Sequence, residues 1–195
     1  MNLMDVFCRM AEAQPTHPAV IGPADAELLT YDELRQAMEA AAERFRAAGI
    51  RPGACVGLHC PSGRDYIILT YALWRCGASV APIPVELAVE EKQRIFNEIS
   101  LSAVVSEPQE LVPLALEAQG KPVPVLGSAV VMLIRPQREN PPGFAAVNAA
   151  FLRFTSGTTG TCKGVVLSHR TIYERIEAAN EVLHIGPDDN VVWLL

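Results

Sequence analysis

Apolar residues recur along this chain in two rhythms, and the elements they predict alternate. Leu3, Val6, Phe7 and Met10 share one helical face, which predicts an amphipathic helix over Leu3–Ala13. His17-Pro18 and Gly22-Pro23 then break the chain around a predicted strand at Ala19–Ile21. Thr30 with Glu33 three residues on has the form of a capping box, in which each side chain satisfies an orphan backbone donor. Leu34, Met38, Ala41, Ala42, Phe45 and Ala48 follow at helical spacing, and Gly49 is placed to end that helix in the left-handed conformation.

Short unbroken apolar runs come next. Strands are predicted at Ala54–Cys60, Ser79–Ile83 and Ala103–Ser106, with helices at Arg64–Cys76, Val89–Ile99 and Gln109–Gln119. One or two further strands are expected between Lys121 and Ile134. Strands without polar alternation, separated by helices, predict an α/β fold: a mostly parallel sheet with helices on both faces. The polar, proline-rich stretch Arg135–Gly143 reads as a linker. The expected organisation is therefore an α/β subdomain over 1–134, a linker over 135–148, and a segment over 149–195 that carries the chemistry. Asn190–Leu195 predicts an apolar strand with no turn after it, so the chain is expected to be a fragment of a longer gene product, with an open edge that favours self-association.

Composition narrows the function classes. Half of the 195 residues are hydrophobic and 19% are charged, which permits a core and excludes disorder throughout. The net charge of −6 supplies no basic footprint for nucleic acid. Asp5, Arg9 and Glu12 interrupt any signal-peptide core, and the apolar run Tyr66–Trp74 falls short of the roughly 20 residues that span a bilayer. Five cysteines occur at irregular spacing without a C-x-x-C pair. Cys55, His59 and Cys60 therefore read as buried packing residues rather than a metal site, and the thiols as reduced in a cytoplasmic protein.

The chemistry lies between two predicted strands, Phe151–Phe154 and Val165–Leu167. The connecting stretch is Thr155-Ser156-Gly157-Thr158-Thr159-Gly160-Thr161-Cys162-Lys163-Gly164. Its glycines allow a close backbone approach, its hydroxyls are additional donors, and Lys163 adds a mobile positive charge. One ion pair at about 4 Å in an effective dielectric of about 20 is worth about 4 kcal/mol before desolvation. No acidic residue opposes an anion. The alternative is an ordinary flexible hairpin, but hairpin tips need about two to five residues and favour Asn-Gly or Asp-Gly. A Walker loop is disfavoured by Cys162 at its second glycine, by Gly164 at the magnesium-binding hydroxyl, and by the strand that follows. A nucleophile elbow is absent around Ser156, where Phe154 and Thr158 fill the glycine positions.

From Phe154 to Val165 the chain resembles the signature of the AMP-binding, adenylate-forming superfamily, which includes acyl-CoA synthetases, peptide synthetase adenylation domains and luciferases. The usual pattern is T-S-G-T-T-G-x-P-K-G-V, and Cys162 here replaces its proline. The loss of proline removes stiffness but no phosphate ligand. Ser168 before His169-Arg170 fits a helix cap, and Leu29–Leu34, Gly49–Gly53 and Cys76-Gly77-Ala78 resemble earlier elements of the same family.

The resemblance implies the N-terminal part of the adenylate-forming fold and a two-step ligation. A carboxylic acid and ATP give an acyl-adenylate and pyrophosphate, and the acyl group then passes to coenzyme A or a carrier-protein thiol. It implies that Thr155, Ser156, Gly157, Thr158, Thr159, Gly160 and Gly164 bind the phosphates, with Lys163 both binding and acting catalytically. It places the acidic ligand of Mg2+, the acyl pocket and a C-terminal lysine in later motifs, so this chain alone is expected not to turn over. The competing reading is a non-catalytic interaction or self-association module derived from the superfamily. His169 reads as a packing or capping residue rather than a base, and Trp74 and Trp193 as core.

Overall fold

A computed structural model describes residues 2–22, 28–111, 119–135, 140, 143–155, 163–187 and 189–192. The chain opens with α1 (Leu3–Ala13), capped by Asn2, whose side chain accepts from the Met4 N–H at 2.9 Å. β1 (Pro18–Ile21) and β2 (Leu28–Thr30) form a small antiparallel pair. The predicted capping box is present at the start of α2 (Tyr31–Ala48). Glu33 N–H donates to Thr30 Oγ1 at 3.2 Å, and Thr30 N–H donates to Glu33 Oε2 at 2.8 Å. Gly49 ends the helix at φ +109°, a conformation that disfavours any side chain.

β3 (Cys55–His59), α3 (Arg64–Arg75), β4 (Ser79–Pro82), α4 (Val89–Glu98), β5 (Ala103–Ser106) and α5 (Pro108–Leu111) follow close to their expected bounds. The remainder of the predicted helix Gln109–Gln119 falls largely on 112–118, outside the described residues. β6 (Val123–Leu126) and β7 (Ala129–Leu133) make a hairpin across Gly127-Ser128, and a 3-10 turn at Phe144–Val147 precedes β8 (Ala149–Thr155), β9 (Lys163–Ser168) and α6 (His169–Leu183). The predicted C-terminal strand does not form where it is described: residues 190–192 are irregular, and 193–195 lie outside the described set.

The main sheet has seven strands in the order β6-β7-β5-β3-β4-β8-β9. Its centre, β5-β3-β4-β8, is parallel, as the helix-linked runs predict, and both flanks are antiparallel. The two-residue turn Gly127-Ser128 makes β6 and β7 antiparallel, whereas parallel neighbours need a crossover. β8 lies beside β4, so strands on either side of 135–148 share one sheet.

Each face of the sheet has its own core. Val56, Leu58, Val80, Ala103 and Val105 pack with α1, α2 and α3 through Phe7, Met38, Phe45, Leu69 and Leu73. Cys55, Ala81, Val104, Val130 and Met132 pack on the opposite face with Ile95, Phe96 and Leu111. Gly57 permits this second layer to close, because an added Cβ would stand 2.9 Å from Ile83 Cδ1 and 3.1 Å from Leu101 Cδ1. Parallel strands buried on both faces explain why the sequence runs apolar without alternation.

Candidate functional site

Because β3, β4, β5 and β8 are parallel, their carboxyl ends face one edge of the sheet. In open α/β sheets this is the edge where ligands bind. The chain leaves β8 there and returns through β9, with Thr155 directly opposite Lys163 and Phe154 opposite Gly164. Thr155 and Lys163, the two ends of the undescribed part of the predicted ribbon, thus stand side by side at that edge. Ser156, Gly157, Thr158, Thr159 and Gly160 lie outside the described residues, as do Thr161 and Cys162. Gly164 is exposed, with open space where a Cβ would stand.

The hairpin's base is held from one side by aromatic packing. Trp74 on α3 donates its Nε1–H to the Ala150 carbonyl at 3.0 Å. Its ring meets Phe151 and His169 edge-on, each at 5.1 Å between centroids. Leu152 and Phe154 pack against the opposite core. A register shift between Ala149 and Phe151 is what lets the adjacent residues Ala150 and Phe151 both join the α1–α3 side. Arg153 is exposed and lies 5.7 Å from the Phe151 ring centroid.

Ser168 caps α6 as its position suggested, its Oγ accepting from the Thr171 N–H at 3.0 Å. His169 is buried, and its Nδ1 accepts from the Leu3 N–H at 3.4 Å, which leaves its proton on Nε2. Burial depresses its pKa to about 4, so it is a neutral packing residue at physiological pH. His59 is likewise buried, with Nδ1 2.8 Å from Ser106 Oγ and a pKa lowered by burial. Its Nε2 has no hydrogen-bond partner among the described residues.

Cys8, Cys55, Cys60 and Cys76 are free thiols. Burial pushes the Cys55 thiol up to about 11 and the Cys60 thiol up to about 12. Among the described residues, no group of three His, Cys, Asp or Glu side chains could hold a metal ion. A cavity of about 290 Å³ opens after β3 and β5, lined by Ser62, Asp65, Glu107 and Ser128 among others, in the half of the sheet away from the hairpin. No described helix is long and apolar enough to cross a membrane.

The sequence model of the AMP-binding enzyme family matches residues 7–195. The chain belongs to that family. Within it, this AMP-binding chain is 32% identical over 190 residues to the nonribosomal peptide synthetase easA of Emericella nidulans, covering 96% of the chain and 3% of that protein. It is 30% identical over 194 residues to phenyloxazoline synthase MbtB of Mycobacterium tuberculosis, covering 98% and 13%. The AMP-binding chain therefore spans a small part of these relatives. Its fold matches a long-chain-fatty-acid-CoA ligase (FadD1) from Archaeoglobus fulgidus with a TM-score of 0.72 at 21% identity, covering 95% of this chain and 40% of that one. It matches the nonribosomal peptide synthetase FmoA3 with a TM-score of 0.73 at 21% identity, over 97% and 19%. These likenesses show that the chain shares its fold with a part of each of those two proteins.

What sequence reasoning missed is the support beneath the loop. Trp74 and Ala150 are 76 positions apart, and no local pattern links them.

Proposed function

We propose that the chain is the N-terminal part of an ATP-dependent, AMP-forming acid–thiol ligase, with the ribbon Thr155–Gly164 as its polyphosphate cradle. The supporting observation is the hairpin register, which brings Thr155 and Lys163 together at the carboxyl edge of the parallel strands. In the first step a carboxylate oxygen attacks the α-phosphorus of ATP. The bond to the bridging oxygen breaks, and pyrophosphate leaves. Thr155, Ser156, Gly157, Thr158, Thr159, Gly160 and Gly164 hold the β- and γ-phosphates by backbone and hydroxyl groups, and Lys163 offsets the charge that builds on the leaving group. In the second step a thiol attacks the acyl carbon and AMP leaves. The acidic ligand of Mg2+ belongs to the motifs that the family resemblance places beyond this chain, so no step is assigned to the metal here.

Coenzyme A is the thiol in the acyl-CoA synthetase form of this reading. A carrier-protein thiol is favoured by the relatives at 30–32% identity, which carry peptide-synthetase and phenyloxazoline-synthase names. The free thiols, of which Cys55, Cys60 and Cys76 are buried, accord with a reducing cytoplasmic setting.

The reading is tested by ATP–pyrophosphate exchange in a full-length parent enzyme. Lys163→Ala is expected to lower exchange at least about 100-fold and Thr158→Ala about 10-fold. Unchanged rates in both variants remove the ribbon from the mechanism. The 195-residue chain alone is expected to show no acid-dependent exchange.

A second reading, self-association, has its own support. His169, Ile172, Ile176 and Leu183 share one stripe of α6, and the stripe runs from buried at His169 to 54% exposed at Ile176 and 63% at Leu183. β9 beside it is one of the two edge strands of the seven-stranded sheet.

A further inference from the structure

The β8–β9 hairpin is a lever whose base and tip are secured differently. Toward the tip, the β8–β4 pairing extends little past Val80↔Phe151, because β4 ends at Pro82, which has no N–H to give. From Leu152↔Val166 to Thr155↔Lys163 the strands pair with each other, Leu152 and Phe154 rest on the second core, and Val165 and Val166 are both 41% exposed. The base, in contrast, is tied into the α1–α3 core. Trp74 holds Ala150 and packs on Phe151 and His169. The His169 N–H donates to the Asn148 carbonyl at 3.2 Å.

The tie continues to the first helix. Leu3 N–H belongs to the first turn of α1, where helical donors lack an intrahelical acceptor, and it finds His169 Nδ1 instead. Tyr71 stacks edge-on to Trp74 at 5.3 Å and meets Phe7 of α1 at 4.9 Å. One aromatic chain thus runs from α1 through α3 to β8 and to His169, the first residue of α6, directly after β9.

We propose that Trp74 and His169 are positioning residues: they fix the hairpin's tilt, and through it the placement of Thr155 and Lys163 before a polyphosphate. This deepens, and rests on, the reading of the ribbon as a phosphate cradle. The lever explains why distance does not weaken the effect. Four strand residues span about 13 Å, so a tilt of about 5° at Phe151 moves Thr155 by about 1 Å. A displacement of that size costs up to about 100-fold in a positioned reaction.

The test uses the 195-residue protein, inorganic pyrophosphate and amide exchange read by NMR. Trp74→Phe keeps a ring but loses the donor to Ala150, and His169→Leu keeps bulk but loses the acceptor for Leu3. Both are expected to weaken pyrophosphate binding about 10-fold and to speed exchange in residues 163–168 about 10-fold, with β3 and β5 unchanged. His169→Asn, whose Oδ1 replaces Nδ1 as acceptor, is expected to restore both to within about two-fold. Exchange requires no ligand, so the two ideas fail separately. Wild-type binding that Lys163→Ala leaves unchanged, or no binding at all, sinks the phosphate reading, and exchange then decides the clamp alone. Hairpin exchange equal to wild type in both variants, acceleration spread evenly over the sheet, or no rescue by asparagine overturns the proposal. Should His169→Leu fail to fold, Trp74→Phe decides.

Discussion

β3 and the β8–β9 hairpin belong to one sheet, but they are supported in different ways. β3 pairs on both sides over most of its length and is covered on both faces, from Cys55 through His59. The hairpin pairs with β4 near its base, and its far end carries exposed valines. The difference shows how one sheet can supply both a rigid frame and a projecting element. Stability is concentrated where helices enclose the strands on both faces, and the strands that flank the proposed phosphate ribbon lie where that enclosure thins.

The contrast is most easily broken at its rigid end. Leu58→Ala, at a fully buried site in β3, is expected to cost about 3 kcal/mol in urea unfolding. A cost near zero would mean that the centre is no frame at all.

Acid sharpens the contrast next. His169 titrates at about 4 when folded, against an ordinary value of 6.5, so an unfolded chain takes up a proton that the folded one refuses. Stability is therefore full above about pH 6.5, falls as pH drops from 6.5 toward 4, and levels off below. The loss is on the order of 2 kcal/mol. His59 acts in the same direction. Urea midpoints at pH 7, 5.5 and 4.5 check this, and His169→Asn should flatten the slope.

Smaller effects follow. Ser168→Ala removes the α6 cap and is expected to cost about 1 kcal/mol by thermal unfolding. Gly49→Ala, at φ +109° and against Leu133, should cost at least about 1 kcal/mol. Smallest is Ile176→Ser, on the exposed stripe, expected to change stability by less than about 0.5 kcal/mol while lowering any dimer fraction seen by light scattering. A large loss of stability there would show that α6 is already covered.

The framework was legible because its signals are local. Thr30, Glu33 and Gly49 mark the limits of α2 by chemistry confined to one turn, and Ala103–Ser106 is a strand of the predicted length. Strand direction was less legible. The stretch 122–134 is apolar apart from Gly127-Ser128, and that pair alone marks the antiparallel turn. β2 was hidden behind the cap: Leu28–Thr30 is too short to declare itself, and its partner β1 decides it. At the site, the glycine-hydroxyl composition of the ribbon pointed to an anion, but its support was invisible. Trp74 and His169 each look like core in sequence, and their joint action depends on a contact between α3 and α6 that no spacing encodes.

The shielded sulfurs in β3 and just after it have a practical consequence. A thiol that stays protonated near pH 7 is a poor nucleophile, so an alkylating reagent will pass over Cys55 and Cys60 while the fold is closed. Their labelling therefore timestamps opening of the sheet, a built-in alarm that needs no engineered probe.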